Sequence, residues 1–362
     1  MRQQILAALI LCCICKTAQC SIVVIANRSK GPVSFRLETA GSAAAREFAV
    51  DSLDSISIPA IVPAMVSYKS AGRQKKTQIE PGRIYYFGDV SHREIDLIRI
   101  ALSTPDPPAA EALPSPNAIK GGQVPASPSL TIPVKILYDD AEITTPKAWE
   151  SRIKKRFDYA SQFFKKHCFV EFDVVAVDSW HSDPSITALD AALSEFERVV
   201  DQTPARIAVG FTGRFKSDSS DSHLGGTRGP LHSHVLVREW TKWNTEQERT
   251  ELLVHELAHL LGAVHSPEQG SVMRPVLGDW TARAKGHRLR IDPLNTMAMC
   301  LVSEQLNRNP LARFSDLAVP AKIELARIYV ELTRANPSDP AAPIYLRRLG
   351  VRLPSVAENG SP

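Results

Sequence analysis

The chain is short of cysteine, of net charge and of long hydrophobic runs, and each shortage excludes something. Four of its six cysteines (Cys12, Cys13, Cys15 and Cys20) fall within the first twenty residues, which rules out a disulfide-dense scaffold. One bridge between Cys168 and Cys300 stays open. Forty-three basic against 39 acidic residues leave +4, too little for a field that would draw nucleic acid or an anionic membrane, and no nucleic-acid module is present. The most apolar run, Ile5–Cys15, is far shorter than the roughly 20 residues that cross a bilayer. No integral membrane segment is expected once that run is removed. The composition, 44% apolar and 23% charged, is that of an ordinary globular protein.

What is present begins with Arg2, the apolar run and small residues before Ser21, which together read as a secretory signal over residues 1–20. A secreted or extracytoplasmic protein is expected, with the cell envelope included. Cleavage after Cys20 would remove Arg2 and Lys16 and leave a charge of +2. A lipid-modified Cys20 is the competing reading, which Gln19 disfavours.

Over residues 21–103, short alternating runs (Ser21–Ala26, Val33–Leu37, Ser55–Ile61, Met65–Tyr68, Arg83–Phe87) are punctuated by turn residues and predict a small all-β domain of sandwich type. Seven of the 26 prolines then fall between Ser103 and Leu130, which marks residues 104–131 as a semi-rigid linker. From residue 132 strands and helices alternate: strand Ile132–Tyr138, helix Pro146–His167, strand Phe169–Asp178, helix Ile186–Val200, strand Arg206–Gly210 and a strand-like stretch Leu231–Val237. Two further helices, Pro320–Thr333 and Ala341–Leu349, close the chain and are expected to pack on this domain.

The chemistry concentrates in His255-Glu256-Leu257-Ala258-His259-Leu260-Leu261-Gly262-Ala263-Val264-His265. Thr245 and Glu248 form a capping-box pattern ahead of apolar periodicity, so a helix is predicted here. A separation of four residues puts His255 and His259 on one face, able to share a tetrahedral zinc, with Glu256 beside the metal as general base. Gly262 permits a sharp turn that returns His265 as third ligand. Three histidines leave a fourth position open, which distinguishes a catalytic zinc site from a structural one.

With Ser271-Val272-Met273-Arg274-Pro275 following, the sequence resembles the metzincin metallopeptidases, closest to the matrixin branch. Arg274 departs from that branch, which usually places tyrosine after the turn methionine. The resemblance implies a catalytic domain over 132–308, a twisted mixed sheet plus active-site helix in α+β arrangement, followed by a helical segment at 309–362. It further implies one catalytic Zn2+, Met273 as an apolar floor beneath the ligands, and a peptide or protein substrate. Leu224–Val237 occupies the place of the family's antiparallel edge strand, so Gly225, Gly226 and Thr227 are expected to pair with an extended substrate. His232 and His234, at strand spacing, are candidates for a second metal. Trp180, His181, Trp240, Trp243 and Trp280 read as packing residues, and Lys154-Lys155-Arg156 as a solvated helix face.

The expected activity is that of a secreted zinc endopeptidase, with Glu256 as general base and then acid toward a zinc-activated water. Two rivals stand beside it. One is a catalytically silent, metal-stabilised binding or envelope protein, against which an intact Glu256 argues; the other is a zinc amidase acting on cell-wall peptides. The β-rich domain is expected to position substrate or to bind a surface or another protein.

Overall fold

The computed structural model describes residues 22–39, 45–60, 63–91, 94–102, 129–140, 145–213, 225–239, 245–277, 281–284 and 287–350. The signal at 1–20, most of the linker, Leu224, Trp240, Trp243 and Trp280 lie outside the described residues.

The first eight strands form two four-stranded sheets. One contains β1 (Ile22–Asn27), β4 (Ser55–Pro59), β7 (Ile84–Ser91) and β8 (Glu94–Arg99) in the order β4-β1-β7-β8. The other contains β2 (Val33–Thr39), β3 (Arg46–Val50), β5 (Ala64–Ser70) and β6 (Arg73–Ile79) in the order β3-β2-β5-β6. Phe35, Leu37, Val66 and Tyr68 interdigitate with Val23, Ile25, Ile58 and Phe87 between the sheets. Strand β1 runs parallel to β7 and is buried on both faces, so it loses the alternation that β2 shows. Its other face, with Ile22 and Val24, joins the core of the following region.

That region is built on a five-stranded sheet. Strands β9 (Leu130–Asp139), β10 (Val170–Trp180), β11 (Ile207–Thr212) and β13 (His234–Arg238) are parallel, and β12 (Gly225–Thr227) is antiparallel at the edge, in the order β10-β9-β11-β13-β12. Helices α1 (Pro146–Cys168) and α3 (Glu246–Leu260) bury Trp149, Ile153, Phe157, Leu253 and Leu257 against one face, where Val134, Ile136 and Val209 point. Helix α2 (Leu189–Val199) covers the other, packing Leu193 and Phe196 on Leu137, Ala208 and Leu236. The mixed sheet with helix α3 packed on it is as expected; the stretch read as one strand over 231–237 is shorter, and the edge position belongs to three residues of β12.

Helix α4 (Pro293–Arg308) joins the two regions. It packs beside α1 and against β1 and β4. Ser55 Oγ donates to the Ile291 carbonyl at 3.1 Å, Ser57 Oγ donates to the carbonyl of His167, and Lys166 pairs with Asp54. The N-terminal sandwich is thereby fastened to the ends of α1 and α4. Cys300, on α4, and Cys168 are both buried free thiols. Helices α5 (Val319–Ala335) and α6 (Ala341–Leu349) pack through Tyr329, Leu325, Tyr345 and Leu346 into the same core as α3.

One helix-face expectation is corrected. Lys155 is exposed, but Arg156 is buried and forks onto Glu239 at 2.8 Å and Glu246 at 2.7 Å. A guanidinium with both carboxylates in reach is satisfied away from water, and here it ties α1 to the entrance of α3. Trp180 is buried in the core, and His181 is exposed against Asp140.

Candidate metal centre and cleft

Helix α3 starts at the capping box: the Thr245 N–H donates to Glu248 Oε2 at 2.7 Å and the Glu248 N–H returns to Thr245 Oγ1 at 3.3 Å. Arg283 holds the other oxygen of Glu248 at 2.8 Å, so the cap is fixed from a second segment. The helix ends where Gly262 adopts φ +90°, with the Ala263 N–H bonded to the Ala258 carbonyl at 3.0 Å. An alanine at Gly262 would be strained in φ and would also press on Tyr329 Oη at 3.0 Å. The chain reverses here, and Asn295 at the start of α4 grips it, accepting from the Val264 N–H and donating to the Val264 carbonyl, both at 2.9 Å.

This reversal brings His255, His259 and His265 together, one ring nitrogen of each lying within 4.8 Å of the others. Each Nδ1 is committed outward. His255 Nδ1 donates to the Val272 carbonyl at 2.8 Å, His259 Nδ1 to the Ala263 carbonyl at 2.8 Å, and His265 Nδ1 to Asp339 Oδ1 at 2.9 Å. Since a carbonyl or carboxylate oxygen accepts, these bonds fix the Nδ1–H tautomer and turn every Nε2 lone pair inward. Burial also drives both helix histidines toward the neutral form, His259 down to about 4 and His255 well below the usual range. The Nε2 atoms of His255 and His259 face each other at 3.0 Å. Two lone pairs at that separation repel unless a cation is shared between them. The donor set and its orientation therefore fit zinc, which takes neutral imidazole nitrogen.

Glu256 is buried at the floor of a cleft of about 450 Å³ lined by Leu189, Leu193, Gly225–Thr227, Leu252, the three histidines, Pro275 and Leu277. Burial pushes its carboxyl up to about 8. Strand β12 lies directly over it: a methyl placed on Gly225 would come within 2.7 Å of Glu256 Oε1. Gly226 faces Leu189 on the other side. None of the cleft residues comes from the N-terminal sandwich.

Met273 is fully buried in the core that contains Leu257 and Ala258, and its carbonyl accepts from the Ser266 N–H at 2.8 Å. Arg274, the departure from the matrixin pattern, forks onto Glu251 of α3 at 2.6 and 2.9 Å, with both groups buried. The turn is thus anchored to the helix by an ion pair. The second-metal candidates do not converge. His232 precedes β13, and His234 is buried with Nε2 against the Val200 carbonyl at 2.9 Å and Nδ1 against Ser233 Oγ. Among the described residues the triad is the one such cluster of metal-ligating side chains.

The matrixin family model matches residues 144–297, from the start of α1 into α4. This segment is metzincin-like. The match supports a zinc-dependent peptidase acting on peptide or protein. No curated protein matches the chain. Solved structures similar to it include archaemetzincin from Methanopyrus kandleri, at 14% identity and TM-score 0.32 over 51% of this chain and 97% of that one. Metalloproteinase-II from Bacteroides fragilis is similar at 15% identity and TM-score 0.35, over 77% and 84%. A zinc-dependent peptidase from Methanocorpusculum labreanum follows at 10% identity and TM-score 0.28, over 39% and 87%.

The structure brings together the triad and Glu256 that the sequence singles out, and adds supporting groups that the sequence does not point to. Asn295, Tyr329 and Asp339 all lie beyond the motif; Asp339 is visible in sequence only as a carboxylate between two prolines, with no sign of its partner 74 residues away.

Proposed function

We propose that the protein is a secreted zinc endopeptidase in which His255, His259 and His265 hold one zinc through Nε2 and Glu256 moves the proton. The observation that carries this is the inward convergence of three Nε2 atoms whose Nδ1 positions are all committed, directly beside a buried carboxyl in an open cleft. Zinc, when bound, supplies Lewis acidity toward the scissile carbonyl and toward a water molecule. Glu256, buried beside the triad at the floor of the cleft, then takes the proton of the attacking water and hands it to the leaving amine. Strand β12, as the sheet edge over the cleft, offers backbone N–H and C=O groups to an extended peptide, a mode indifferent to side-chain identity. Met273 closes the core behind the ligands, and the N-terminal sandwich, absent from the cleft lining, serves attachment to a surface or another protein.

The test is digestion of a mixed peptide library by the mature protein, alongside a chelator control and Glu256→Gln. Internal cleavage that disappears in both controls is expected. Zinc-loaded, folded protein that leaves every peptide intact overturns the reading.

A further inference from the structure

Of the three ligands, His265 has the weakest local support. His255 and His259 sit on α3 and are buried, and their Nδ1–H groups are held by carbonyls of the main chain. His265 lies past the turn, outside any helix or strand, and its side chain is 24% exposed. An imidazole on irregular backbone keeps rotamer freedom that a helical ligand has lost. What holds it is Asp339, in the turn between α5 and α6.

Asp339 has few other ties. It is 7% exposed, and its second oxygen, Oδ2, is buried without a hydrogen-bond partner. A buried carboxylate with one neutral partner is costly, whereas one backed by a cation on the far nitrogen of that partner is compensated. The turn that presents it is stiff: Pro337 and Pro340 flank it, and the Asp339 N–H bonds to the Asn336 carbonyl at 3.2 Å. The same helix pair braces the bend that delivers His265, because Tyr329 Oη donates to the Gly262 carbonyl at 2.7 Å. Asp339 and Tyr329 both lie outside the segment that the matrixin model matches.

We propose that Asp339 is a positioning residue of the metal centre: it fixes the ring of His265 through Nδ1 and places a negative charge behind the third ligand, making the α5–α6 pair part of the site. This rests on reading the triad as a zinc site. It predicts that metal affinity, rather than folding alone, depends on a residue remote in sequence from the motif.

The experiment measures zinc affinity of the full mature chain by competition with a chromophoric chelator, for the wild type, Asp339→Asn, Asp339→Ala and, as references, His255→Ala and His259→Ala. Asn keeps the volume and an oxygen acceptor, so it isolates the charge. Zinc binding by Asp339→Asn is expected to weaken about 10- to 100-fold. The unfolding midpoint of its metal-free form should not fall below the wild-type value, because the charge it removes is uncompensated there, whereas a merely structural role would lower it. With cobalt(II) in place of zinc, the visible absorption of Asp339→Ala should shift as the third ligand loosens. Should Asp339→Ala fail to fold, Asp339→Asn decides. Wild-type affinity in Asp339→Asn overturns the proposal while leaving the zinc site standing. A wild-type chain that takes up no zinc, or references that bind it as tightly, would overturn the metal reading and the proposal with it.

Discussion

Gly225 is the position where the cleft has least room, and Gly225→Ala measures what that closeness is for. A Cβ there would lie 2.7 Å from Glu256 Oε1, 2.9 Å from its Cγ and 3.0 Å from its Cδ. Restoring a contact near 3.4 Å requires the carboxylate or the strand to move by about 0.7 Å, and because Glu256 lines the cleft its carboxylate would swing out of its place beneath β12. A misplacement of about 1 Å in a catalytic group costs on the order of 100-fold in rate, so kcat of Gly225→Ala should fall by roughly 10- to 100-fold. Gly226→Ala is the control one residue away. Its Cβ would meet Leu189 at 3.5 Å, an ordinary contact, and kcat should stay within about threefold of wild type. The assay is steady-state cleavage of a fluorogenic peptide chosen from the library digest, with zinc content measured on each variant. Zinc stoichiometry should remain at the wild-type value in both. A Gly225→Ala enzyme with wild-type kcat, or equal losses at 225 and 226, would refute the assignment of Glu256 to the proton transfer under β12.

Three further outcomes follow from the packing around the site. Arg274→Met should destabilise the fold by about 3–5 kcal/mol in urea unfolding, because Glu251 is left as a buried charge with only His287, at 3.7 Å, beside it; the Arg274→Met/Glu251→Leu pair should recover most of it. A loss under 1 kcal/mol in the single variant would show that the pair contributes little. Tyr329→Phe strands the Gly262 carbonyl and should cost about 1–3 kcal/mol, read from the same curves. His167 is buried with neither ring nitrogen hydrogen-bonded, Asp54 standing 3.9 Å from Nε2, and burial lowers it to about 4. Its folded-state pKa is thus below the unfolded value near 6.5, so the unfolded chain binds the extra proton between them. Stability from this group is present above pH 6.5 and is lost as pH falls toward 4, by about 3 kcal/mol in all. His167→Leu should flatten that part of the stability–pH curve, and an unchanged slope would place the acid sensitivity elsewhere.

The parts of this protein that sequence reveals are those whose causes are local. The four-residue spacing of His255 and His259, the cap formed by Thr245 and Glu248, and the break at Gly262 are each decided within one helix and its ends, and each stands in the structure where the spacing puts it. Alternation likewise exposed β2, which has one face in the sandwich core and one in solvent. Strands β3, β6 and β8 went unread because their outward positions are charged or polar. Arg73, Lys75 and Lys76 make β6 look like a loop, yet lysine on an edge strand is a guard against edge-to-edge pairing. Helix α4 hid for the opposite reason: it is buried almost all round from Pro293 to Leu306, so no polar stripe marks the 3.6-residue period. Arg156 was misread as solvated because its partners are 83 and 90 residues away.

The same distinction orders the restraints on the three histidines. His259 is held by the carbonyl of Ala263, four residues on and just past the end of its own helix. His255 is held by Val272, beside the buried methionine, 17 residues on. His265 is held by Asp339, 74 residues on, from a turn between two helices that the motif does not foreshadow. Local backbone can orient a ligand that stands on a helix, because the helix has already removed most of its freedom. A ligand delivered by a loop needs a partner brought in by tertiary packing, and that partner can come from any segment that docks nearby. Here it comes from α5 and α6, which would otherwise read as a tail closing the core. Their docking completes the bend through Tyr329 and the ligand through Asp339, so the histidine pattern specifies which atoms meet, while the geometry of the third depends on residues that lie outside it.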